Sequence, residues 1–405
     1  MAKVRIKAKR QEQNNISLRP STDRGLGDLR REQARFQKVK KSNLAIFVAF
    51  VILLVLYFFS LTLFVVPAQS SGTMAGLLML MKEKFEAFLL WVQGHGGGFT
   101  FTLVRYTIIV LAGAALASAG CVFQGSFRNI IASPSTMGVQ AGAALGNALY
   151  TFFCIDVITE TLVIQYDYES AMQLSLWELN KQPLFAMTGA LISIAIVSGI
   201  ASLLGKGTFS GGNILFSGIV FSSFAGAITS VIQYYFMYYD PDESRWQALQ
   251  TFNMGNFERV MSYQHLGMVS LVLVPSLLVL ILISPKLNVI VMGEDEAATM
   301  GVNVRLYRVL LIGIGTLMAA TVYAFCGAIG FVGFIVPQIC RRFTGPDFRK
   351  LLPMCMFVGG ILLILVYDIA LFFGFAMYMN MVTSVIGCAM MIYSLFTGKG
   401  GRTYG

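Results

Sequence analysis

The stretch LAIFVAFVILLVLYFFSLTLFVV, residues 44–66, holds 23 residues without one charged side chain. About 20 apolar residues in a helix cross the hydrocarbon core of a bilayer, so this stretch predicts a transmembrane helix. The polar segment before it has 43 residues, which is too long for the charged start of a signal peptide. We therefore predict that the helix is retained as the first span of the chain.

Similar apolar runs follow along the rest of the chain. The chain of 405 residues is 56% apolar and only 12% charged, against roughly 25% charged in soluble domains, which excludes a soluble globular protein. The runs predict ten spans, at residues 44–66, 106–124, 138–155, 184–204, 214–238, 265–284, 306–326, 328–340, 352–373 and 381–397. The predicted fold class is an all-α polytopic membrane protein with about ten transmembrane helices.

The net charge of +10 is concentrated in residues 1–43, which contain 13 Lys or Arg and 4 Asp or Glu. This segment has few apolar residues and no sustained periodicity, which is typical of a solvated, partly disordered tail. The alternative is attraction to the anionic lipid of the inner leaflet. Both readings are favoured over nucleic-acid binding, and residues 44–405 form the predicted transmembrane domain.

The distribution of cations predicts the orientation in the cell membrane. With the N-terminus inside and ten spans, 24 of the 30 Lys and Arg lie in cytoplasmic segments, as the positive-inside rule requires. Both termini are then cytoplasmic. The outer segment 156–182 is acidic, and residues 77–92 have an apolar face that predicts a helix lying along the outer interface.

The interior of the predicted spans contains little reactive chemistry. Asp368 is the only carboxylate within a span and no Lys or Arg lies deep in one, which argues against coupling to an ion gradient. The phosphate-binding loop G-x-x-x-x-G-K-[ST] is absent, as are metal-ligand and Ser-His-Asp sets. We therefore predict that the chain is not an enzyme and binds no cofactor or metal, and that energy comes from another subunit.

The fifth predicted span carries a stripe of small and mildly polar residues. The stripe consists of Ser223, Gly226, Ala227, Ser230 and Gln233. Such a stripe fits either tight helix packing or the wall of a wide pathway.

Several stretches resemble one known family, the permeases of ABC transporters for ferric siderophores, haem and cobalamin. GAALASAGCVFQGSFRNIIASPSTMGVQAGAALG, residues 113–146, is similar to a conserved segment of that family, with matches at Gln124, Arg128, Asn129, Pro134 and Gly138. GFVGFIVPQICRRFTGPDFRKLLP, residues 330–353, is similar to another, with matches at Pro337, Asp347 and Arg349. MGEDEAATMGVNVRLYR, residues 292–308, resembles the family's cytoplasmic loop between two spans.

The resemblance implies a permease subunit that pairs with a second copy or a paralogue and forms the translocation pathway at their interface. It also implies two ABC ATPase subunits, which bind ATP and magnesium, and an extracytoplasmic substrate-binding protein. Ferric siderophore is the first substrate expected, then haem, then cobalamin. The rival readings are an ion-uncoupled secondary transporter or channel and, less favoured, a membrane enzyme.

Two regions are expected to contact partners. In the family the loop matching residues 286–305 couples to the ATPases, and here Glu294, Asp295, Glu296 and Ala297 open a predicted helical turn that Gly301 can end. On the outer face Arg105 is the one remaining arginine at the positions where the family receives carboxylates of the binding protein.

Overall fold

The computed structural model describes residues 21–62, 82, 85–93, 98–154, 176–205, 211–239, 244–259, 263–292, 294–301, 303–375 and 378–396. Within these ranges the chain is helical and contains no strand. The helices are α1 Ser21–Thr62, α2 Gly98–Ser126, α3 Val139–Phe153, α4 Leu176–Leu204, α5 Gly211–Tyr239, α6 Ser244–Met254, α7 Tyr263–Met292, α8 Glu294–Thr299, α9 Val304–Cys326, α10 Val332–Thr344, α11 Phe348–Phe372 and α12 Met379–Phe396.

Each of the ten predicted spans overlaps one of these helices, and the predicted all-helical class is confirmed. Seven are long and apolar enough to cross a membrane, namely α1, α2, α4, α5, α7, α9 and α11. Helices α3, α10 and α12 have 15, 13 and 18 residues. At about 1.5 Å per residue, the first two cover only part of a bilayer.

Of the predicted N-terminal tail, residues 21–43 are helical, because α1 begins at Ser21 and continues without a break into the first span; residues 1–20 lie outside the described residues. Lys, Arg, Gln and Glu are good helix formers, and a helix nucleated by an apolar segment extends at little further cost. The apolar part of α1 is only 17% buried. It therefore lies at the periphery of the bundle.

The eighth predicted span differs from the observed helix, because the non-helical residues 327–331 separate α9 from α10. Gly327 has φ +74° and Phe331 has φ +65°, and neither value is compatible with a right-handed helix. The helix consequently starts at Val332 and ends at Thr344, four residues after the predicted end. This non-helical backbone is enclosed by α6 and α12, as a break at membrane depth requires.

Helix α2 forms the centre of the bundle and is the most buried of the seven long helices. It packs against α7, α9, α10 and α11. A Cβ atom added at Gly113 would overlap the carbonyl oxygen of Gly359 in α11. Helices α3 and α4 meet at Gly142 and Gly189 in the same way, since small residues let two helix backbones approach closely.

A short helix at residues 85–92 covers one end of the bundle. The rings of Phe88 and Trp91 each lie 5.3 Å from the ring of Phe99 in α2, while Val92 of the predicted apolar face is 61% exposed. The interfacial position of segment 77–92 stays a prediction. Most of the acidic segment 156–182 lies outside the described residues.

Candidate functional site

A cavity of about 600 Å³ lies between α3, α5, α10 and α12. The loop between α2 and α3 borders it at one end, and α6 and the 327–331 break border it at the other. The lining residues are Ile131, Ser133, Ser135, Thr136, Gln140, Ala141, Ala144, Ser222, Gly226, Thr229, Ser230, Gln233, Asn253, Ala328, Gly330, Phe331, Phe334, Asn380, Ser384 and Met391. Hydroxyl and carboxamide groups dominate its polar part.

The predicted stripe of α5 lines this cavity in part. Gly226, Ser230 and Gln233 are in the wall, whereas Ser223 and Ala227 are not. The wall instead includes Ser222 and Thr229. Residues 222, 226, 229, 230 and 233 follow the 3.6-residue period of one helix face, and 223 and 227 lie about 20° and 60° beyond residue 230 at the edge of that face. The lining face therefore overlaps the predicted stripe, and the role of the stripe in a pathway stays a prediction.

Asn380 is a lining residue that the sequence did not single out. Its Oδ1 accepts a hydrogen bond from the backbone N–H of Gly330 at 2.9 Å, and its Nδ2 donates to the carbonyl oxygen of Asn253 at 3.1 Å. These two bonds tie α12 and α6 to the break between α9 and α10. In the sequence Asn380 is noticeable only as an asparagine beside an apolar run. That position does not reveal its hydrogen-bond partners, which lie 50 and 127 residues away.

Gln124 and Pro337, which both match motifs of the family, affect the hydrogen bonding of the same backbone carbonyl groups in α10. Pro337 has no amide hydrogen, so the carbonyl of Gly333 loses its partner in α10. The fully buried Gln124 of α2 points its Nε2 at the carbonyl oxygens of Gly333 and Phe334, at 3.4 and 3.3 Å. The side chain therefore satisfies a backbone acceptor that the proline frees inside the membrane.

The loop from α2 to α3 contains four further matched residues, of which Asn129, Pro134 and Gly138 determine its backbone course. Asn129 Oδ1 accepts from the N–H of Ile131 at 3.0 Å, which closes a tight turn. The carbonyl of Pro134 accepts from Val139 N–H at 3.1 Å, at the start of α3. Gly138 precedes that helix with φ +81°, a left-handed conformation that suits glycine.

Arg128 joins this loop to the end of α7. Its Nη2 donates to the carbonyl oxygen of Ile290 at 3.1 Å. Its own backbone has φ +49°, a conformation that is costly for a residue other than glycine. The loop that borders the cavity is therefore attached to the segment that leads into α8.

Asp347 provides a second attachment at this end of the bundle. Its Oδ1 accepts from the N–H of Arg349 at 3.1 Å, capping α11, and from Asn288 Nδ2 at 2.7 Å. The Oδ1 of Asn288 accepts in turn from Phe348 N–H at 2.8 Å. Helices α7 and α11 are thereby fixed to each other one turn before α8.

The predicted coupling helix is present as α8, Glu294–Thr299. Ala297 is fully buried, while Glu296 and Met300 are exposed. Gly301 follows the helix with φ +70°, the left-handed conformation that the sequence indicated. A Cβ atom added at Gly301 would meet nothing within 4 Å, so this end of the loop is open to a partner.

Arg105 lies at the opposite end of the bundle, over a buried polar cluster. It is half-buried, and its Nη1 donates to the hydroxyl oxygen of Tyr367 at 3.1 Å. The neighbouring Asp368 is 6% exposed and accepts hydrogen bonds from Ser60 Oγ and, at 2.7 Å, from the hydroxyl of Tyr106. Asp368 thus holds α1, α2 and α11 together, and docking through Arg105 stays a prediction.

A bundle of membrane helices around a cavity lined in part by hydroxyl and carboxamide groups, with an exposed loop at one end, is the arrangement expected of a transport permease. The sequence model of the FecCD transport family matches residues 52–397. The chain belongs to this family.

Named relatives agree with this membership, and a solved structure has a similar fold. The chain is 31% identical over 306 residues to the cobalamin import system permease protein BtuC of Halobacterium salinarum, covering 73% of this chain and 72% of the relative. It is 29% identical over 311 residues to the hemin transport system permease protein HmuU of Yersinia pestis, covering 76% and 85%. The fold resembles a putative metal-chelate type ABC transporter in an inward-facing conformation, with TM-score 0.67 at 24% identity over 88% of this chain and 99% of that one.

Proposed function

We propose that this chain is the permease subunit of an ATP-driven importer for iron chelates, with ferric siderophore as the first substrate expected and haem or cobalamin as the alternatives. The cavity beside α5 carries the proposal, because it presents hydroxyl and carboxamide groups between the helices of a member of a transport family. In this proposal the cavity is one half of the translocation pathway, and a second copy or a paralogue supplies the other half.

The second permease is expected along α5. On this helix Ile219 and Met237 are 54% and 59% exposed, in line with the cavity-lining residues Gly226 and Ser230. Hydrogen-bonding groups of a cavity that opened to lipid would be left unsatisfied, so a second subunit is expected to cover this side. Membrane lipid covers the remaining apolar exterior.

Two ATPase subunits are expected to bind α8 and the loop 286–305. Arg128 and Asp347 support this assignment, since both attach this end of α7 to elements that reach the cavity or cross the membrane. Movement of α8 would therefore reach the loop from α2 to α3 through one side-chain bond. Hydrolysis itself would occur on the ATPases, which hold ATP and magnesium.

The orientation proposed is the cell membrane with both termini in the cytoplasm and the binding protein outside. Arg128, Arg305, Arg341 and Arg349 all belong to elements that meet at the α8 end of the bundle, which is the expected cytoplasmic side. Arg105 and the cluster around Asp368 lie at the opposite end.

The test is ATP-dependent uptake of iron-55 siderophore into vesicles that contain this chain with its co-purified ATPases and binding protein. We expect uptake that stops without ATP and persists when proton and sodium gradients are collapsed. Uptake driven by an ion gradient without ATP would instead support a secondary transporter.

A further inference from the structure

The polar part of the cavity wall is made of neutral groups. Gln140, Gln233, Asn253 and Asn380 contribute carboxamides from four different helices. Among the lining residues of the described chain there is no Asp, Glu, Lys, Arg or His. The wall can therefore recognise a ligand by hydrogen bonds, but it offers no counter-charge.

Two polar atoms of this wall are available to hydrogen-bond to a ligand. Gln140 Oε1 on α3 and Gln233 Nε2 on α5 are buried, and within the described residues neither has a hydrogen-bond partner. One is an acceptor and the other a donor. A buried polar atom without a partner is costly, so a ligand with both N–H or O–H and C=O groups on its periphery would satisfy both.

A polyanion fits this cavity poorly. A charge at membrane depth needs an opposite charge or water to offset the loss of its hydration, and a trianion needs several. The sequence adds a second reason, because the segment 156–182 on the expected outer face holds five Asp or Glu and one Lys. Both features disfavour negative ligands, and they lie in different parts of the chain.

We propose, on the basis of the proposed function, that the cavity selects metal chelates that are uncharged or cationic and carry amide or hydroxyl groups on their surface. Two sources share this chemistry. In a ferric trihydroxamate three hydroxamate anions neutralise Fe³⁺, and in a corrinoid the ring bears carboxamide side chains. Ferric tris-catecholates, which are trianions, and haem, which bears two carboxylates, are disfavoured.

The experiment compares four labelled probes in vesicles that contain the full chain with its ATPases and binding protein: a ferric trihydroxamate, a cobalamin, a ferric tris-catecholate and haem. The permease contribution is isolated with Gln233→Lys, which adds a cation to the wall while the binding protein is unchanged. Gln264→Lys is the matched control, because Gln264 begins α7 at the same end and does not line the cavity. Ser230→Lys, at an exposed lining position, replaces Gln233→Lys if that variant does not fold.

We expect the wild type to take up at least one neutral probe about tenfold faster than either anionic one, and the lysine to reduce that ratio by about tenfold or more. Which neutral probe is carried distinguishes the two sources. Gln264→Lys should keep the wild-type ratio. Equal or faster uptake of the tris-catecholate or haem by the wild type, or an unchanged ratio in a folded lysine variant, would overturn the charge selection and leave the importer intact. Absence of ATP-dependent uptake for all four probes would overturn the proposed function itself.

Discussion

Replacing Gly301 with Val tests whether α8 transmits ATP hydrolysis. Gly301 has φ +70°, and forcing a residue with a Cβ atom into such a conformation costs about 1–3 kcal/mol. A Cβ atom there would meet nothing within 4 Å, so no steric clash adds to this cost. The strain is met by unwinding the six-residue α8, because a helix this short has little stability of its own. We expect a folded permease in which hydrolysis and transport are uncoupled.

The assay measures ATPase stimulation by substrate-loaded binding protein and transport in the same reconstituted vesicles. Gly374→Val is the matched control, since Gly374 has φ +77° and equally open surroundings but lies at the opposite end of the bundle, after α11. It should carry a similar strain and keep the coupling. Wild-type stimulation and wild-type transport in the Gly301 variant would refute the assignment of α8 as the coupling helix.

Three further changes test other parts of the structure. A cysteine placed at Asp167 should react with an impermeant reagent added outside, whereas one placed at Lys350 should react only from inside. Outside labelling at Lys350 would contradict the proposed orientation. Arg105→Ala should weaken capture of the binding protein by about 2–5 kcal/mol if the arginine meets a carboxylate there, while Tyr367→Phe, which removes only the internal bond, should leave capture unchanged. Gln124→Leu should lower the stability of the folded permease by about 1–3 kcal/mol, measured by thermal unfolding in detergent; an unchanged midpoint would show that the carbonyl freed by Pro337 needs no side-chain donor.

The positions of the membrane helices could be predicted from the sequence, because each crossing needs its own apolar run. The sequence was insufficient to show which polar positions of a helix line a cavity. Helix α5 is apolar on several faces, so Ser223 and Ser222 are equivalent in the sequence, and only packing against α3 places Ser222 in the cavity wall.

Contacts between segments that are distant in the chain also could not be predicted from the sequence. Gln124 and Pro337 each matched a family motif, but 209 residues separate Gln124 from the carbonyl that it contacts in α10. The break at 327–331 was missed for a related reason, since the neighbouring Gly330 donates to Asn380 of α12, which lies 50 residues away, and a phenylalanine gives no local signal for the positive φ of Phe331. By contrast, the turn after α8 was predictable because Gly301 defines it within six residues.

The contact between Ser60 and Asp368 bears on how the protein is made. Synthesis produces α1 long before α11, since 308 residues separate the two partners. Helix α1 can enter the bilayer alone, because its backbone hydrogen bonds are internal and most of its apolar surface stays in lipid in the finished bundle. The carboxylate of Asp368 has the opposite requirement, because it reaches its buried site with hydroxyl partners supplied by helices that were inserted earlier. During synthesis α1, which is stable alone in lipid, is therefore inserted first. Helix α11, which carries Asp368, is inserted when the hydroxyl partners of this carboxylate are already in the membrane.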